Sequence, residues 1–468
     1  MTQSLLRACA AALIAVALTV LGGCAVQPET RAASPKNIII LYGDGAAATQ
    51  WELGRYTSRE LRNAPYAVTD VVFKRGTLGL LSTSSASSPV TDSAAAATAM
   101  STGRKTNNDM AGVTADGKPA TTLMEIAKAR GKRIGLVTTA TVYDASPAAF
   151  SVHAKSRREY QSIVDQLYAL EPDVLLGGGR DYFLPKGQGP GRRSDARDVV
   201  AAFRGKGYAV VQDPAALTAT TGPRLLGLFD DQDMDHEIDR QPREQPSFGE
   251  MAAAALRVLS ASNPSGFVLF LENENIDTAG HRNDAAALVR DLWAFDEGVR
   301  AALDFRQKNP DTLIVVTGDH ETGGLSMTYA QKDLSTLSSS NRFYPQRAHL
   351  DLLMGIRGSL DKAAKRLGRK PAPELLDKVL AEQFPGFTLD ADLRAALLSG
   401  AALDRNAAYV PHAVLGRMVA RQTGIYWGTS GHTTEPVAVG AIGPGETLFR
   451  GYMDNTDFAK ALHTLLGR

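Results

Sequence analysis

FVLFLENENIDTAGH, Phe267 to His281, opens on five apolar residues and then switches to carboxylates, amides and a histidine. An uninterrupted apolar run of this length, followed by a helix-like segment, reads as a buried strand feeding a helix at the end of a parallel sheet. Asp277 and His281 are four residues apart, and Glu272 lies five before Asp277. The one strand-to-helix passage can therefore turn two carboxylates and an imidazole toward one cavity. Taken alone, D-x-x-x-H is equally the signature of a solvated pair on a helix surface.

The same alternation extends over most of the chain. Short apolar runs at Asn37–Tyr42, Thr77–Leu81, Ile134–Thr139, Asp173–Leu176, Leu313–Thr317 and Val437–Ile442 join Phe267–Glu272 as candidate strands. Helical patterns lie between them at Thr122–Ala129, Tyr160–Leu170, Glu250–Ser260 and Asp284–Arg306. This predicts an α/β three-layer sandwich, a central, mostly parallel sheet flanked by helices. Residues 329–428 read instead as a helix-rich insertion, a cap or a subunit interface, before the sheet resumes.

Ligands of open α/β sheets bind at the carboxyl ends of the strands, so the residues just beyond each strand matter most. Four of those ends carry one kind of chemistry: LYGDG, TTATVYDAS, LENENIDTAGH and VTGDHETGG. Carboxylates and imidazoles recurring at four strand ends suggest a metal site. VTDSAAAATAMSTGRKT, Val90–Thr106, adds Asp-Ser at the head of an Ala run. That is a capped, close-packed helix, and it is also a place where backbone N–H groups and the helix dipole favour an anion beside Ser93.

The 468 residues suffice for one large domain or two smaller ones, and 51 basic against 50 acidic residues remove the electrostatic case for a nucleic-acid partner. Arg7, then an apolar run from Ala8 to Leu21, reads as an export signal, too short for a comfortable membrane span. Leu21-Gly22-Gly23-Cys24 resembles a bacterial lipobox, with Cys24 lipidated; the alternative is ordinary cleavage near Ala25 or Ala33. On the lipobox reading, 1–24 is a signal peptide, 25–35 a flexible tether and 36–468 the main folded domain, in a periplasmic or membrane-anchored lipoprotein of a bacterial envelope. Cys9 and Cys24 are the only cysteines, so the mature domain has no internal disulfide.

The ordered set GDG, VTDSAAAATA, YDASPAAFSVHAKSR, LENENID…H, VTGDHETGG and SGHTTEPV resembles the alkaline phosphatases from about Asn37 to Asp454, the helical insertion excepted. The resemblance implies hydrolysis of small phosphate monoesters to inorganic phosphate through a phosphoserine on Ser93, with two Zn2+ and one Mg2+ per chain. It places one zinc on Asp277, His281 and His432, the other on Asp44, Asp319 and His320, and the magnesium on Asp44, Ser146 and Glu272, with Arg157 gripping the phosphate oxygens. A homodimer is implied too, and membrane contact only through the lipid anchor. The chemistry agrees: mixed His/Asp sets suit zinc, hard oxygens suit magnesium, and a serine beside zinc needs no histidine base.

Two positions depart from well-known members or choose between variants: Asp144 is the acidic alternative near the magnesium, and Thr278 replaces a Lys or His. His153 reads as a hydrogen-bonded supporting group rather than a ligand, Glu274 and Glu321 as outer or solvent-facing groups, and Trp293 and Trp427 as packing residues. The rival functions are a phosphodiesterase of the same superfamily and a non-catalytic phosphate-binding lipoprotein. Arg157 argues against the first, being suited to a phosphate with free non-bridging oxygens, and competent residues at every assigned position argue against the second.

Overall fold

A computed structural model describes residues 34–332, 338–406 and 410–467, so the expectations for the signal peptide, Cys24 and most of the tether lie outside the described residues. Ten strands form one sheet: β1 (Asn37–Gly43), β2 (Thr77–Ser82), β3 (Arg133–Thr141), β4 (Val174–Gly178), β5 (Ala209–Val211), β6 (Leu225–Leu228), β7 (Phe267–Asn273), β8 (Thr312–Thr317), β9 (Val437–Ile442) and β10 (Gly451–Asp454). Their order across the sheet is β10-β2-β9-β8-β1-β7-β3-β4-β6-β5. Only β9 runs against its neighbours, β8 and β2, and the other pairings are parallel. The expected mostly parallel α/β sheet is what the chain forms.

The central strands read as unbroken apolar runs because helices cover both faces. Every residue of β1, β7 and β8 is buried, and Phe267 to Leu271 are 0 % exposed. Each such side chain contributes about 1.5–3 kcal/mol by leaving water, which is why a polar residue appears only where the strand ends. The seven expected strands are present with ends shifted by at most two residues. β5, β6 and β10 carry no sequence expectation, being only three or four residues long, two of them partly exposed.

Seven helices matter below: α1 (Ala48–Arg62), α2 (Ser93–Thr102), α3 (Ala145–Ser151), α4 (Tyr160–Leu170), α5 (Asn275–Arg282), α6 (Ala285–Lys308) and α7 (Asn455–Leu465). Local chemistry sets their starts: the Asp92 side chain accepts from Ala95 N to cap α2, and the Asp284 carboxylate accepts from the N–H groups of Ala286 and Ala287 to cap α6. Five further helices lie among the described residues of 347–423, and the strands flanking them, Leu325–Met327 and Ile425–Trp427, pair antiparallel. No helix among the described residues is long and apolar enough to cross a membrane.

Register is what assembles the site. Tyr42 lies opposite Glu272 on β7 and Thr317 on β8, and Thr138 of β3 lies opposite Glu272 from the other side. The carboxyl ends of β8, β1, β7 and β3 are therefore level, and Asp319, Asp44, Glu272 and Thr138 follow one another along one edge of the sheet. Because β9 is antiparallel, the residues before it reach that same edge. A short ribbon in which His432 faces Thr322 and Thr433 faces Glu321 delivers His432 there.

Candidate active site

Ser93 is the first residue of α2, and Ala94 to Ala97 behind it are at most 1 % exposed. α2 packs against α3 on one side and α7 on the other, so close helix approach selects alanine there. The Ser93 side chain is 3 % exposed, and its Oγ lies 3.3 Å from His320 Nε2.

Three imidazoles converge in front of it. His281 Nδ1 is 2.7 Å from the Ser430 carbonyl and His432 Nδ1 is 2.8 Å from the Thr91 carbonyl. A carbonyl only accepts, so each ring carries its proton on Nδ1 and turns the Nε2 lone pair inward. The Thr322 hydroxyl donates its one proton to Asp277 Oδ1, so at 3.2 Å it accepts from His320 Nδ1, and His320 presents Nε2 in the same way. The rings of His320 and His432 stack with centroids 3.6 Å apart.

What these lone pairs meet is more acceptors. His281 Nε2 is 3.1 Å from both His432 Nε2 and Asp277 Oδ2, and His320 Nε2 is 3.1 Å from Asp319 Oδ2 and 3.5 Å from Asp44 Oδ1. Ligand atoms of Asp277, His281 and His432, and again of Asp44, Asp277 and His320, lie within 4.8 Å of one another. Asp319 joins the second group through its contact with His320. Asp44 Oδ1, Asp319 Oδ2 and Glu272 Oε1 are buried with no hydrogen-bond partner. Buried acceptors facing acceptors need a shared cation, and mixed nitrogen and carboxylate donors fit a metal of the zinc type.

Beside this lies a set made only of oxygens. Ser146, fully buried in the first turn of α3, donates to Asp44 Oδ2 at 3.4 Å, and Thr138 donates to Glu272 Oε2 at 2.6 Å. Such donors fit a hard ion such as Mg2+. Burial pushes the Glu272 carboxyl up to about 8 and that of Asp319 to about 7; burial and then the charges of Asp319 and Asp277 raise Asp44 well above the usual range. Burial also lowers His320, with His432 adding to it. A site in which carboxylates resist ionising is one that a cation would relieve.

Arg157 stands at the open side, its side chain about a quarter exposed, with Nη2 3.1 Å from Asp144 Oδ1 and Nη1 3.6 Å from Asp92 Oδ2. Asp92 thus ties the cap of α2 to this guanidinium. The Thr278 hydroxyl donates to Glu274 Oε1 at 2.8 Å, on the wall of a neighbouring cavity of about 700 Å3. His153 is a supporting group that donates from both ring nitrogens, Nδ1 to the Gly112 carbonyl at 2.6 Å and Nε2 to the Glu125 carboxylate at 3.1 Å. Glu321 is not solvent-facing: it is fully buried and accepts from Gln50 of α1, Thr433 and the N–H groups of Gly324 and Leu325.

All ten residues singled out as nucleophile, phosphate grip or metal ligands are thus brought to one edge of the sheet. Sequence reasoning missed Thr138, Thr322 and the Arg157 contact of Asp92. The first two are hydroxyls in buried positions; Thr138 interrupts an apolar run, whereas Thr322 sits in the polar stretch Gly318–Gly324, where nothing set it apart.

The alkaline phosphatase family model matches residues 35–467. The chain is 32 % identical over 433 residues to alkaline phosphatase 3 of Bacillus subtilis (strain 168), covering 91 % of this chain and 87 % of that protein. The crystal structure of Thermus thermophilus alkaline phosphatase superposes with a TM-score of 0.83 at 31 % identity, covering 94 % and 93 % of the two chains. That of a cold-active alkaline phosphatase from a psychrophilic Shewanella sp. does so with 0.75 at 32 % identity, covering 92 % and 100 %. Sequence match, fold and converging donors agree, and the chain belongs to the alkaline phosphatase family of metal-dependent phosphomonoesterases.

Proposed function

We propose that Ser93 is the nucleophile of a two-step phosphomonoester hydrolysis and that its phosphoserine is the intermediate. The observation that carries this is the placement of Ser93 Oγ, 3.3 Å from His320 Nε2 in the cluster of buried acceptors and at the start of a helix whose cap, Asp92, reaches Arg157. Asp277, His281 and His432 would hold one zinc ion, Asp44, Asp319 and His320 a second, and Asp44, Ser146 and Glu272 a magnesium ion. When bound, these ions would supply positive charge that lowers the pKa of the Ser93 hydroxyl and neutralises charge developing on the phosphoryl oxygens.

The chain's own groups do the rest. Arg157, held by Asp144 and Asp92, aims its fork at the non-bridging oxygens and fixes the phosphorus in line with Ser93 Oγ. Ser93 Oγ gives its proton to solvent and forms a bond to phosphorus as the ester P–O bond breaks, and the departing alkoxide takes a proton from solvent and leaves as the alcohol. Water then attacks the phosphoserine, the Oγ–P bond breaks, and inorganic phosphate departs. The N–H groups at the start of α2 favour the anion at both stages.

Export through residues 1–24 and lipid on Cys24 belong to the same reading, supported by Leu21-Gly22-Gly23-Cys24. Metal analysis of the purified protein, alongside hydrolysis of an aryl phosphate and of an aryl diester with and without chelator, tests the reading. Zinc and magnesium in the protein with chelator-sensitive monoester turnover are expected; diester preference or chelator-resistant turnover would overturn it.

A further inference from the structure

Three tyrosines form a triangle one strand away from the metal-donor cluster. Tyr143 follows β3 directly before Asp144, Tyr182 lies in the turn after β4, and Tyr160 opens α4 three residues beyond Arg157. β3 and β4 are neighbours and parallel, so both loops leave the same edge of the sheet as the site. The ring centroids are 5.3 Å apart for Tyr143 and Tyr160, 5.2 Å for Tyr160 and Tyr182, and 5.3 Å for Tyr143 and Tyr182.

The members of the triangle differ in exposure and in what holds them. Tyr143 is 4 % exposed and its hydroxyl is bound by the buried Asp181 carboxylate, so it is a fixed backing. Tyr160 and Tyr182 lie against it, partly open to solvent. Burial and the charge of Asp144 raise the Tyr160 hydroxyl above its ordinary pKa while Arg157 and Arg158 pull it down, as expected for a ring beside the Arg157–Asp144 pair. The mechanism above uses none of these rings.

We propose that Tyr160 and Tyr182 form a wall beside Arg157 that packs against a planar aromatic alcohol portion of the substrate, as in a nucleoside monophosphate. This rests on the phosphomonoesterase reading of the site and adds a preference among its substrates. A ring pre-packed on Tyr143 loses little freedom when a second aromatic group stacks on it, so the contact adds affinity without ordering cost. Stacking on an aromatic side chain changes affinity by at least about fivefold on truncation.

The experiment compares adenosine monophosphate with glycerol phosphate in the metal-replete protein and in Tyr160→Leu, Tyr182→Leu and Tyr160→Phe. The leucine variants should raise KM for adenosine monophosphate at least about fivefold and leave KM for glycerol phosphate within about twofold, with Tyr160→Phe close to the unaltered protein. Equal changes for both substrates, or none, overturn the wall. Adenosine against ribose as inhibitors of glycerol phosphate hydrolysis by the unaltered protein gives a test free of folding effects: adenosine should inhibit the more strongly, and equal inhibition overturns the proposal. Absence of turnover of either substrate by the unaltered protein would instead contradict the phosphomonoesterase reading itself.

Discussion

His281 Nε2 and His432 Nε2 face each other at 3.1 Å while each ring gives its Nδ1 proton to a main-chain carbonyl. Two imidazole lone pairs at that distance repel unless a cation lies between them and the Asp277 carboxylate. His432→Ala should therefore lower metal content and weaken zinc affinity by at least about tenfold, with the fold kept. Competition with a zinc-binding dye measures it, and undiminished affinity would remove His432 from the donor set.

Gly45, just after Asp44, has φ +75°, and a Cβ there would sit 2.8 Å from Asp277 Cα, 2.9 Å from its Oδ1 and 2.9 Å from Thr322 Oγ1. Gly45→Ala must push apart the groups that connect both His/Asp sets, besides forcing an unfavourable backbone region at about 1–3 kcal/mol. Turnover of an aryl phosphate should fall at least about tenfold, since a displacement of about 1 Å at such a site costs more than that. Full activity in this variant would show that the cluster tolerates rearrangement.

Thr278 lines the cavity beside Asp277, with room for a longer side chain. Thr278→Lys places a cation near the product phosphate and should tighten inhibition by inorganic phosphate by up to about fivefold, a partly exposed pair adding up to about 1 kcal/mol. Steady-state inhibition constants check it. Tighter inhibition of the native protein than of the variant would contradict the account of that position.

On the cavity that Thr278 also lines, His236 Nδ1 lies 2.7 Å from Asp291 Oδ2, both buried. Burial disfavours the imidazolium, but Asp291 outweighs it and pushes His236 up to about 9. A raised pKa means stability fully present below the unfolded value of about 6.5 and lost as pH rises through about 9. The protonated pair contributes on the order of 3 kcal/mol at the acid end of that window. Chemical denaturation of the protein and of His236→Gln at pH 6 and pH 10 should show a stability gap that shrinks at the higher pH; a constant gap would mean that His236 stays neutral.

The sheet was legible where burial is complete on both faces. β1, β7 and β8 need apolar residues throughout, so the runs ended within a residue or so of the strands. β5 and β10 are short and partly exposed, and β6 is only LLGL, so no run marks them. At the site, Asp44, Glu272, Asp319 and His320 were legible because a charged group just past a buried strand needs a reason to be there. His432 depended on β9 running antiparallel, which brings a preceding residue to the edge reached elsewhere by following ones. Thr138 and Thr322 were not legible, since a threonine in a buried strand or short ribbon packs as well as it donates.

The central claim is that phosphate passes through Ser93. Acid quenching during turnover of a phosphate-labelled monoester by the metal-replete protein, followed by digestion, should leave label on the peptide containing Ser93. Ser93→Ala should leave none and lose phosphatase turnover. Label on another residue, or undiminished turnover in Ser93→Ala, would contradict the account.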